Sequence, residues 1–207
     1  MNILENITRE SDLINDNSLT CFMSHCAQQN PNAFKKFYEL LSVEKFQNIL
    51  EIGTADGGLT VSLRLMSGEL ELSPRILSFD IARRDWYESQ CSDYDLDIRI
   101  HNIFENNSID KEVVDFIQSE GKTLVLCDGG HKITEFNTLS HYLKDGDFIM
   151  AHDYAETQEI FNNEIYKKHW NWHEIRLSDI EDTIKECKLK KYSGIDFKDA
   201  VWCCYYK

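Results

Sequence analysis

The sequence has little of what usually marks linkers, membrane spans or nucleic-acid-binding surfaces. Two prolines and nine glycines in 207 residues leave no obvious linker, so we expect one domain with a full core. No apolar run is long enough to cross a bilayer. Lysine and arginine number 22 against 36 acidic residues, and the net charge of −14 disfavours a phosphate-backbone partner. We therefore expect a small-molecule ligand, with no nucleic acid and no membrane as partner.

The seven cysteines are odd in number and include no Cys-x-x-Cys pair. This pattern indicates neither a disulfide framework nor a zinc knuckle. We expect reduced, mostly buried thiols, as in a cytoplasmic protein. The N-terminal region, which contains Glu5, Glu10 and Asp12, has no apolar signal segment, and this agrees with a cytoplasmic location.

Residues 49–60 predict a buried strand that ends in an acid, then a glycine turn and the start of a helix. Gly53 and Gly57 allow the backbone to turn tightly and to approach a ligand closely. The N-terminus of the helix offers free N–H groups. Ala55 stands where a dinucleotide fingerprint has its second glycine, and Glu51 at the strand end would repel a pyrophosphate. The pattern therefore favours a ligand with a cationic ammonium group over NAD.

Apolar runs that alternate with helical patterns predict an α/β protein with a Rossmann-like, doubly wound sheet, mostly parallel with an antiparallel edge hairpin. The predicted strands are residues 47–52, 75–81, 96–102, a stretch within 123–131, 148–154, 172–177 and 200–206. Helices are predicted at residues 19–29, 33–41, 56–66, 108–119, 132–143, 156–169 and 180–187. We expect an N-terminal helical or lid extension over residues 1–45 and a ligand-binding domain over residues 46–207.

Each of the first five predicted strands ends in polar or acidic residues. The carboxyl ends of parallel strands lie along one sheet edge, so these side chains should converge there. They are Glu51, Asp80, Asn102, Asp128, His152 and Asp153. Asp80 lies 27 residues after Gly53, where an acid can accept both ribose hydroxyls of a nucleoside. Ile81 would form an apolar wall for the base, and Asn102 could reach its edge. A helix N-cap or a solvated loop acid is the alternative interpretation of Asp80.

Asp128 and Asp153 end adjacent predicted strands, with no run of lysines nearby to neutralise them. Two such carboxylates favour a hard divalent cation such as Mg²⁺, with His152 as a third ligand. The cation would bind an acceptor hydroxyl and lower its pKa. His131 has a near-neutral unperturbed pKa and is the predicted base. The alternatives are helix caps for the two aspartates and a core position for His152.

Residues 49–60 resemble motif I of the class I S-adenosylmethionine-dependent methyltransferases, in which this loop holds the amino-acid end of the cofactor. Two further stretches are Leu-Cys-Asp-Gly-Gly-His at 126–131 and Gly-Asp-Phe-Ile-Met-Ala-His-Asp-Tyr at 146–154. They resemble the metal-dependent O-methyltransferases related to macrocin and mycinamicin O-methyltransferases and to cephalosporin hydroxylase-like proteins. The resemblance covers roughly residues 28–155.

The resemblance implies a set of residues that bind S-adenosylmethionine: Glu51, Gly53, Thr54, Gly57, Asp80, Ile81, Asn102 and Asp128. It also implies that Asp128 and Asp153 hold Mg²⁺ and that His131 acts as the base. His152 stands where the metal-binding members mostly carry Asp or Glu, which leaves room for another divalent cation or for none. The acceptor pocket should lie over the same edge, with Tyr154, Trp170, Trp172 and His173 as candidates.

We therefore expect a methyltransferase that uses S-adenosylmethionine to methylate a hydroxyl group of a small molecule, of sugar or natural-product type. A divalent cation is expected to assist. One alternative is a catalytically silent module that binds S-adenosylmethionine and serves regulation. A weaker alternative is an NAD-dependent oxidoreductase, which Ala55 and Glu51 disfavour. The sequence does not name the acceptor and leaves a homo-oligomer open.

Overall fold

A computed structural model describes residues 3–9, 19–85, 87–105 and 108–207. The strands within these residues are β1 (Ile7–Arg9), β2 (Thr20–Phe22), β3 (His25–Ala27), β4 (Asn48–Ile52), β5 (Arg75–Asp80), β6 (Asp97–Ile100), β7 (Phe104–Glu105), β8 (Ser108–Ile109), β9 (Thr123–Cys127), β10 (Phe148–Ala151), β11 (Lys190–Lys191) and β12 (Cys203–Tyr206). The α-helices within them are α1 (Pro31–Glu44), α2 (Gly58–Glu69), α3 (Tyr87–Tyr94), α4 (Lys111–Gln118), α5 (Lys132–Leu139), α6 (Gln158–Ile160) and α7 (Leu177–Cys187).

The central sheet has seven described strands in the order β11-β12-β10-β9-β4-β5-β6. The five strands from β10 to β6 run parallel to one another. Strand β12 runs antiparallel to both β10 and β11. The predicted mostly parallel sheet with an antiparallel edge hairpin is thereby confirmed.

The sheet has a buried apolar layer on each face because neighbouring residues of a strand point to opposite sides. Ile49 and Leu124 pack with Phe34 of α1 in one apolar cluster. Leu50 and Val125, the next residues along the same strands, pack in a second cluster with helices α4, α5 and α7. Every residue of β4 and β9 is buried, as expected for central strands of a parallel sheet. The loops that follow these strands are left at the sheet edge.

One strand of the edge hairpin, β12, lies within the predicted residues 200–206, but the other strand is formed by residues other than those predicted. Residues 172–177 were expected to supply a strand, but the pairing partner of β12 is β11. Within 172–177, Ile175 makes a single bridge to Tyr154. The backbone N–H of Arg176 then donates to the Asp179 carboxylate at 2.8 Å, and helix α7 begins at Leu177. This cap turns the chain into a helix where a strand was expected.

The predicted helix over residues 19–29 is wrong. The chain there forms the hairpin of β2 and β3, which places Cys21 opposite Cys26, and the two sulfurs form a disulfide. Met23 and Ser24 turn the hairpin with positive φ angles of 48° and 72°. The expectation of reduced thiols is therefore wrong for this pair, and the cytoplasmic location loses its cysteine argument and stays a prediction.

The predicted helix over residues 156–169 is shorter than expected. Its α-helical part is α6, and a π-helical turn follows at Phe161–Ile165. The helical path ends at Ile165, because Tyr166 after it has a ψ of 130°. Of the predicted N-terminal lid, residues 1–2 and 10–18 lie outside the described residues. Residues 3–9 form a 3₁₀ turn at Ile3–Asn6 and strand β1.

No helix in the described part of the chain has both the length and the apolar character that a bilayer crossing requires. The division into an extension over residues 1–45 and a domain over residues 46–207 stays a prediction. Helix α1 from the predicted extension shares an apolar cluster with β4 and β9, so its side chains form part of the core.

Candidate active site

The loop of residues 53–58, here called the motif loop, leaves β4 and crosses the end of β5. The backbone N–H groups of Gly53 and Thr54 both donate to the Phe79 carbonyl, at 2.8 and 3.2 Å. The N–H of Ala55 donates to Oδ2 of Asp80 at 2.7 Å. Gly57 has a φ of 70° and is the N-cap of α2. Because these bonds fix the loop to β5, its backbone faces a cleft at the carboxyl ends of the strands.

Gly53 allows the motif loop to touch the loop that follows β9. Its φ is +96°, and a Cβ atom there would lie 2.3 Å from the carbonyl oxygen of Asp128 and 2.7 Å from the nitrogen of Gly129. Both contacts are with backbone atoms, so a side chain at this position would have to push the two loops apart. The glycine turn thus brings Asp128 to the motif loop.

Two adjoining cavities lie at this edge. The outer cavity, about 430 Å³, is lined by residues that include Asp80, Ile81, Asn102 and His131. The inner cavity, about 170 Å³, is lined by residues that include Thr54, Lys132, His152, Asp153, Trp170 and Trp172. Gly53, Ala55 and Asp128 line both cavities. The predicted convergence of strand ends therefore holds for five of the six polar residues that were expected to meet, the exception being Glu51.

Asp80 sits at the junction of the motif loop and β5. Its Oδ2 accepts from Ala55, and its Oδ1 accepts from the N–H of Ala82 at 2.8 Å. Ile81 is 79% exposed, which is unusual for an isoleucine and leaves an apolar surface over the outer cavity. Asn102 accepts from the N–H of Phe104 at 3.0 Å through its side-chain oxygen, which leaves the amide NH₂ for other partners.

Glu51 lies beneath the motif loop and outside the described lining of both cavities. Its carboxyl group is fully buried. Oε2 accepts hydrogen bonds from the hydroxyls of Ser78 and Thr60, and Oε1 has no partner among the described residues. Burial raises the pKa of Glu51 to about 7. The sequence predicts that Glu51 contacts the ammonium group of the ligand, but the structure does not bring this carboxyl group to the cleft.

The pKa of Glu51 gives a prediction for stability. A carboxyl whose pKa rises from 4.5 unfolded to about 7 folded stabilises the protein below pH 4.5, and this contribution is lost as the pH rises through about 7. We expect the difference in unfolding free energy between wild type and Glu51→Gln to change by about 3 kcal/mol between pH 4.5 and pH 7. Urea unfolding of both proteins at several pH values measures it, with the exposed Glu69→Gln as control. Parallel pH curves for Glu51→Gln and wild type would contradict it.

Asp128, His152 and Asp153 form what we call the acidic cluster. Their ligand atoms all lie within 4.8 Å of one another, the one such group among the described residues. Oδ1 of Asp128 lies 3.0 Å from Nδ1 of His152, and Oδ2 accepts from Nε2 of Gln29 at 2.7 Å. Oδ1 of Asp153 accepts from the Trp170 indole N–H at 2.5 Å. Asp153 has a φ of 58°, so the chain turns sharply after β10 to present this carboxylate.

Lys132 brings a positive charge to the cluster, although the sequence has no run of lysines near these aspartates. Its ammonium nitrogen lies 3.0 Å from Oδ2 of Asp153 and 3.8 Å from Oδ1 of Asp128. Its side chain is 8% exposed. Burial alone would lower the pKa of Lys132, but the charges of Asp128 and Asp153 outweigh it and raise that pKa. Lys132 is therefore a fixed positive charge in the inner cavity.

His152 is a buried imidazole held by aromatic rings and by a carboxylate. Its ring stacks on Trp202 at a centroid distance of 4.9 Å and lies 5.1 Å from Trp170. Burial lowers its pKa, but the carboxylates of Asp153 and Asp128 outweigh burial and raise it. Nε2 has no hydrogen-bond partner among the described residues. His152 is therefore both a core residue, which was the alternative interpretation, and part of the lining of the inner cavity.

His131 lies at the start of α5 and its side chain is exposed. Its backbone N–H donates to Oε1 of Glu135 at 3.1 Å, and it lines the outer cavity. Of the aromatic candidates for the acceptor pocket, Trp170 and Trp172 line the inner cavity. Tyr154 lines a separate cavity beside β12, and the ring of His173 stacks on Phe161.

Sequence reasoning missed Gln29, Lys132, Glu135 and Glu174. Lys132 had a usable signal, because a lysine at the first residue of a helix, four after an aspartate, can reach back to it. Glu135 had a similar one, and its carboxyl accepts from the N–H groups of Gly129 and His131 at 3.1 Å each. Gln29 and Glu174 come from distant parts of the chain, so no local pattern could have indicated them.

Solved structures of methyltransferases share this fold. An O-methyltransferase family protein from Burkholderia thailandensis matches with a TM-score of 0.56 and 8% identity, over 84% of this chain and 54% of that one. A structure of CmcI with Mg and SAM matches with a TM-score of 0.56 and 11% identity, over 86% and 73%. A putative caffeoyl-CoA O-methyltransferase from Staphylococcus aureus matches with a TM-score of 0.54 and 13% identity, over 85% of this chain and 83% of that one. The fold is therefore that of the class I S-adenosylmethionine-dependent methyltransferases.

The sequence profile of the rhamnosyl O-methyltransferase/CmcI family matches residues 17–180. The chain belongs to this O-methyltransferase family. The chain spans only 54% of the length of the Burkholderia protein and 65% of an apo structure of CmcI. No curated protein sequence matches it.

Proposed function

We propose that this protein transfers a methyl group from S-adenosylmethionine to a hydroxyl of a small molecule, of sugar or natural-product type. The observation that carries the proposal is the hydrogen bond from Ala55 of the motif loop to Asp80, at the rim of a cleft in a chain of this family. The bond joins the two elements that a nucleoside-type cofactor with an amino-acid end would bridge.

The outer cavity suits the adenosyl part of the cofactor. Asp80 uses one lone pair on each oxygen for backbone N–H groups, so further lone pairs remain for two ribose hydroxyls. Exposed Ile81 would be covered by the adenine ring, and the free amide of Asn102 can bond to its edge. Gly53, Thr54 and Ala55 would hold the methionine end, since Gly53 and Ala55 line both cavities and lie beside Asp128.

The inner cavity suits the acceptor. The rings of Trp170 and Trp172 lie 5.1 Å apart and give it an aromatic wall, which favours a ligand with a flat or ring-shaped apolar face. Asp128, next to the motif loop, would lie near the sulfonium, whose positive charge it attracts. Methyl transfer requires an in-line approach of the acceptor oxygen, so most of the catalysis would be positioning.

In the proposed reaction a base takes the proton of the acceptor hydroxyl, and the oxygen attacks the methyl carbon. The carbon–sulfur bond breaks and its electrons stay on sulfur, which gives S-adenosylhomocysteine. His131, which lines the outer cavity together with Asp128, is the proposed base, so the acceptor hydroxyl would have to reach from the inner cavity to the junction of the two.

We expect His131→Ala to lower kcat by about 100-fold or more, as is typical for the loss of a general base, and to leave the affinity for S-adenosylmethionine unchanged. Steady-state kinetics with an identified acceptor measure kcat, and calorimetry measures the affinity. His141→Ala, outside the described lining of both cavities, is the matched control. Undiminished turnover in His131→Ala would remove His131 from the reaction.

The sequence also predicts a divalent cation, but the residues of the acidic cluster fit such an ion poorly. The convergence of three potential ligands and the unpartnered, buried Nε2 of His152 favour a metal. However, Mg²⁺ prefers oxygen ligands, His152 offers nitrogen, and the ammonium of Lys132 already contacts Asp153. As arranged, these residues do not fit a hard cation, and no step of the proposed reaction uses one.

The proposal is tested by incubating the protein with S-adenosylmethionine that carries a labelled methyl group and with panels of sugars, phenols and polyketide-type alcohols. Transfer of label to a hydroxyl of one panel is the expected result. Binding of S-adenosylmethionine without transfer to any panel would favour the catalytically silent module. If the protein neither bound S-adenosylmethionine nor transferred the label, the proposal would be contradicted.

A further inference from the structure

We propose that the ammonium group of Lys132 is the resident cation of the acidic cluster, in the place where the sequence predicts a divalent metal ion. The inference rests on the proposed function, because it concerns the charge balance of the same cleft. It makes Lys132 a positioning residue and makes the methyl transfer independent of divalent cations.

The geometry of Lys132 accounts for all three of its protons. Its ammonium nitrogen lies 2.8 Å from Oε2 of Glu174, 3.0 Å from Oδ2 of Asp153 and 3.0 Å from the carbonyl oxygen of Gly129. A lysine ammonium has three N–H donors, so these three acceptors use all of them. Because no proton is left for a substrate, Lys132 acts by holding its partners in place.

The charges also exclude the simultaneous presence of a metal ion and the Lys132 ammonium beside Asp153. Both Lys132 and Asp153 are 8% exposed, so each charge is mostly removed from water and depends on its partner. An ion that bound Asp153 would lie beside the ammonium, and two cations at that distance repel strongly in a buried site. A metal could therefore enter only if Lys132 left its three partners.

The contacts of Lys132 join three separate parts of the chain across the inner cavity. The residue itself begins α5, Asp153 follows β10, and Glu174 lies in the segment before α7. Asp153 in turn accepts from Trp170, which forms part of the aromatic wall. Lys132 thus fixes both the acidic cluster and the wall of the acceptor cavity, a structural role that a metal ion fills elsewhere.

The first test measures Mn²⁺ binding to the wild-type protein by electron paramagnetic resonance, together with thermal unfolding in Mg²⁺, Mn²⁺ and EDTA. We expect no Mn²⁺ bound at millimolar concentration and the same Tm in all three. One tightly bound Mn²⁺ that is lost in Asp153→Asn would overturn the proposal. This arm needs no variant of Lys132 and stands even if such a variant fails to fold.

The second test uses Lys132→Ala, which removes the ammonium from the buried Asp153 and leaves the His152 imidazole at 3.6 Å. We expect the Tm to fall by roughly 6–15 °C, as for a broken buried ion pair. Mn²⁺ should bind about tenfold or more tightly than to wild type and restore much of the Tm, because the carboxylates then offer a vacant cation site. Failure of Mn²⁺ to bind or to restore the Tm would overturn the proposal.

Lys144→Ala is the matched control. Lys144 also pairs with a buried aspartate, Asp147, at 2.8 Å, but it lies outside the acidic cluster. We expect its Tm to fall and Mn²⁺ to restore none of it. S-adenosylmethionine is titrated into the same samples. If the wild-type protein binds neither Mn²⁺ nor S-adenosylmethionine, only the proposed function is contradicted. If it binds both Mn²⁺ and S-adenosylmethionine, only the proposal for Lys132 is contradicted.

Discussion

Replacing Asp80 with alanine is expected to weaken the binding of S-adenosylmethionine by about 10- to 100-fold. The carboxylate would accept two ribose hydroxyls, and hydrogen bonds to a charged group contribute about 1.5–3 kcal/mol. It also fixes the motif loop through Ala55 and the start of the next segment through Ala82. The loss of these bonds would free the loop that is proposed to hold the methionine end. Isothermal titration calorimetry measures the affinity.

Two further variants separate these contributions. Asp80→Asn keeps one acceptor oxygen, so we expect an affinity between those of wild type and Asp80→Ala. Asp97→Ala removes a carboxylate from the exposed start of β6, outside the described lining of both cavities, and should bind the cofactor as wild type does. An unchanged dissociation constant in Asp80→Ala would refute the assignment of ribose binding to this residue.

Gly53→Ala is the second variant with a large expected effect. It combines a φ of +96°, which alanine tolerates poorly, with a Cβ atom 2.3 Å from a backbone oxygen of Asp128. The motif loop cannot yield without breaking the hydrogen bonds from Gly53 and Thr54 to Phe79, and the loop after β9 is held by the bond from the Asp128 N–H to the Ile52 carbonyl at 2.9 Å. We expect a loss of about 3 kcal/mol or more in unfolding free energy, a Tm lower by roughly 6–12 °C, and no measurable cofactor binding.

Gly146→Ala separates the two causes. Gly146 has a similar φ of +89°, but apart from its own atoms and its two chain neighbours no described atom lies within 4 Å of the position of its Cβ. This variant carries only the strain of the left-handed conformation, so we expect a loss of about 1 kcal/mol. Calorimetric unfolding of both variants gives the comparison. Equal losses in the two would show that the contact between the motif loop and Asp128 is unimportant.

The central fold could be predicted because its strands carry a strong local signal. The apolar runs of β4 and β9 are typical of strands buried on both faces, and each is followed by a polar residue and a helical pattern. The hairpin of β2 and β3 could not be predicted in this way. Its apolar residues are too few to separate a strand from a helix, and the register that pairs Cys21 with Cys26 depends on the turn at Met23 and Ser24.

The candidate site could be predicted as far as strand ends determine it. Asp80, Asn102 and Asp128 lie in the cleft because parallel strands deliver their carboxyl ends to one edge. Glu51 also ends a strand, but hydroxyls from β5 and α2 draw its carboxyl into the interior. Such a contact depends on how a helix packs on the sheet, and local sequence does not contain it.

The charge balance of the inner cavity was harder to predict than its position. The two aspartates alone indicate a divalent cation. The opposing cation is Lys132, on a helix that begins four residues after Asp128, and its other carboxylate partner, Glu174, is distant in sequence. A pair of acids at adjacent strand ends therefore predicts the need for a positive charge but not whether a metal or an ammonium supplies it.

The proposed cofactor site is tested most directly by a calorimetric titration of the wild-type protein with S-adenosylmethionine, with and without Mg²⁺, and with NAD as the control. We expect saturable binding of S-adenosylmethionine at one site, the same affinity with and without Mg²⁺, and no binding of NAD. Absence of S-adenosylmethionine binding under every condition would contradict the proposed cofactor site, because the motif loop and Asp80 would then form only a structural turn.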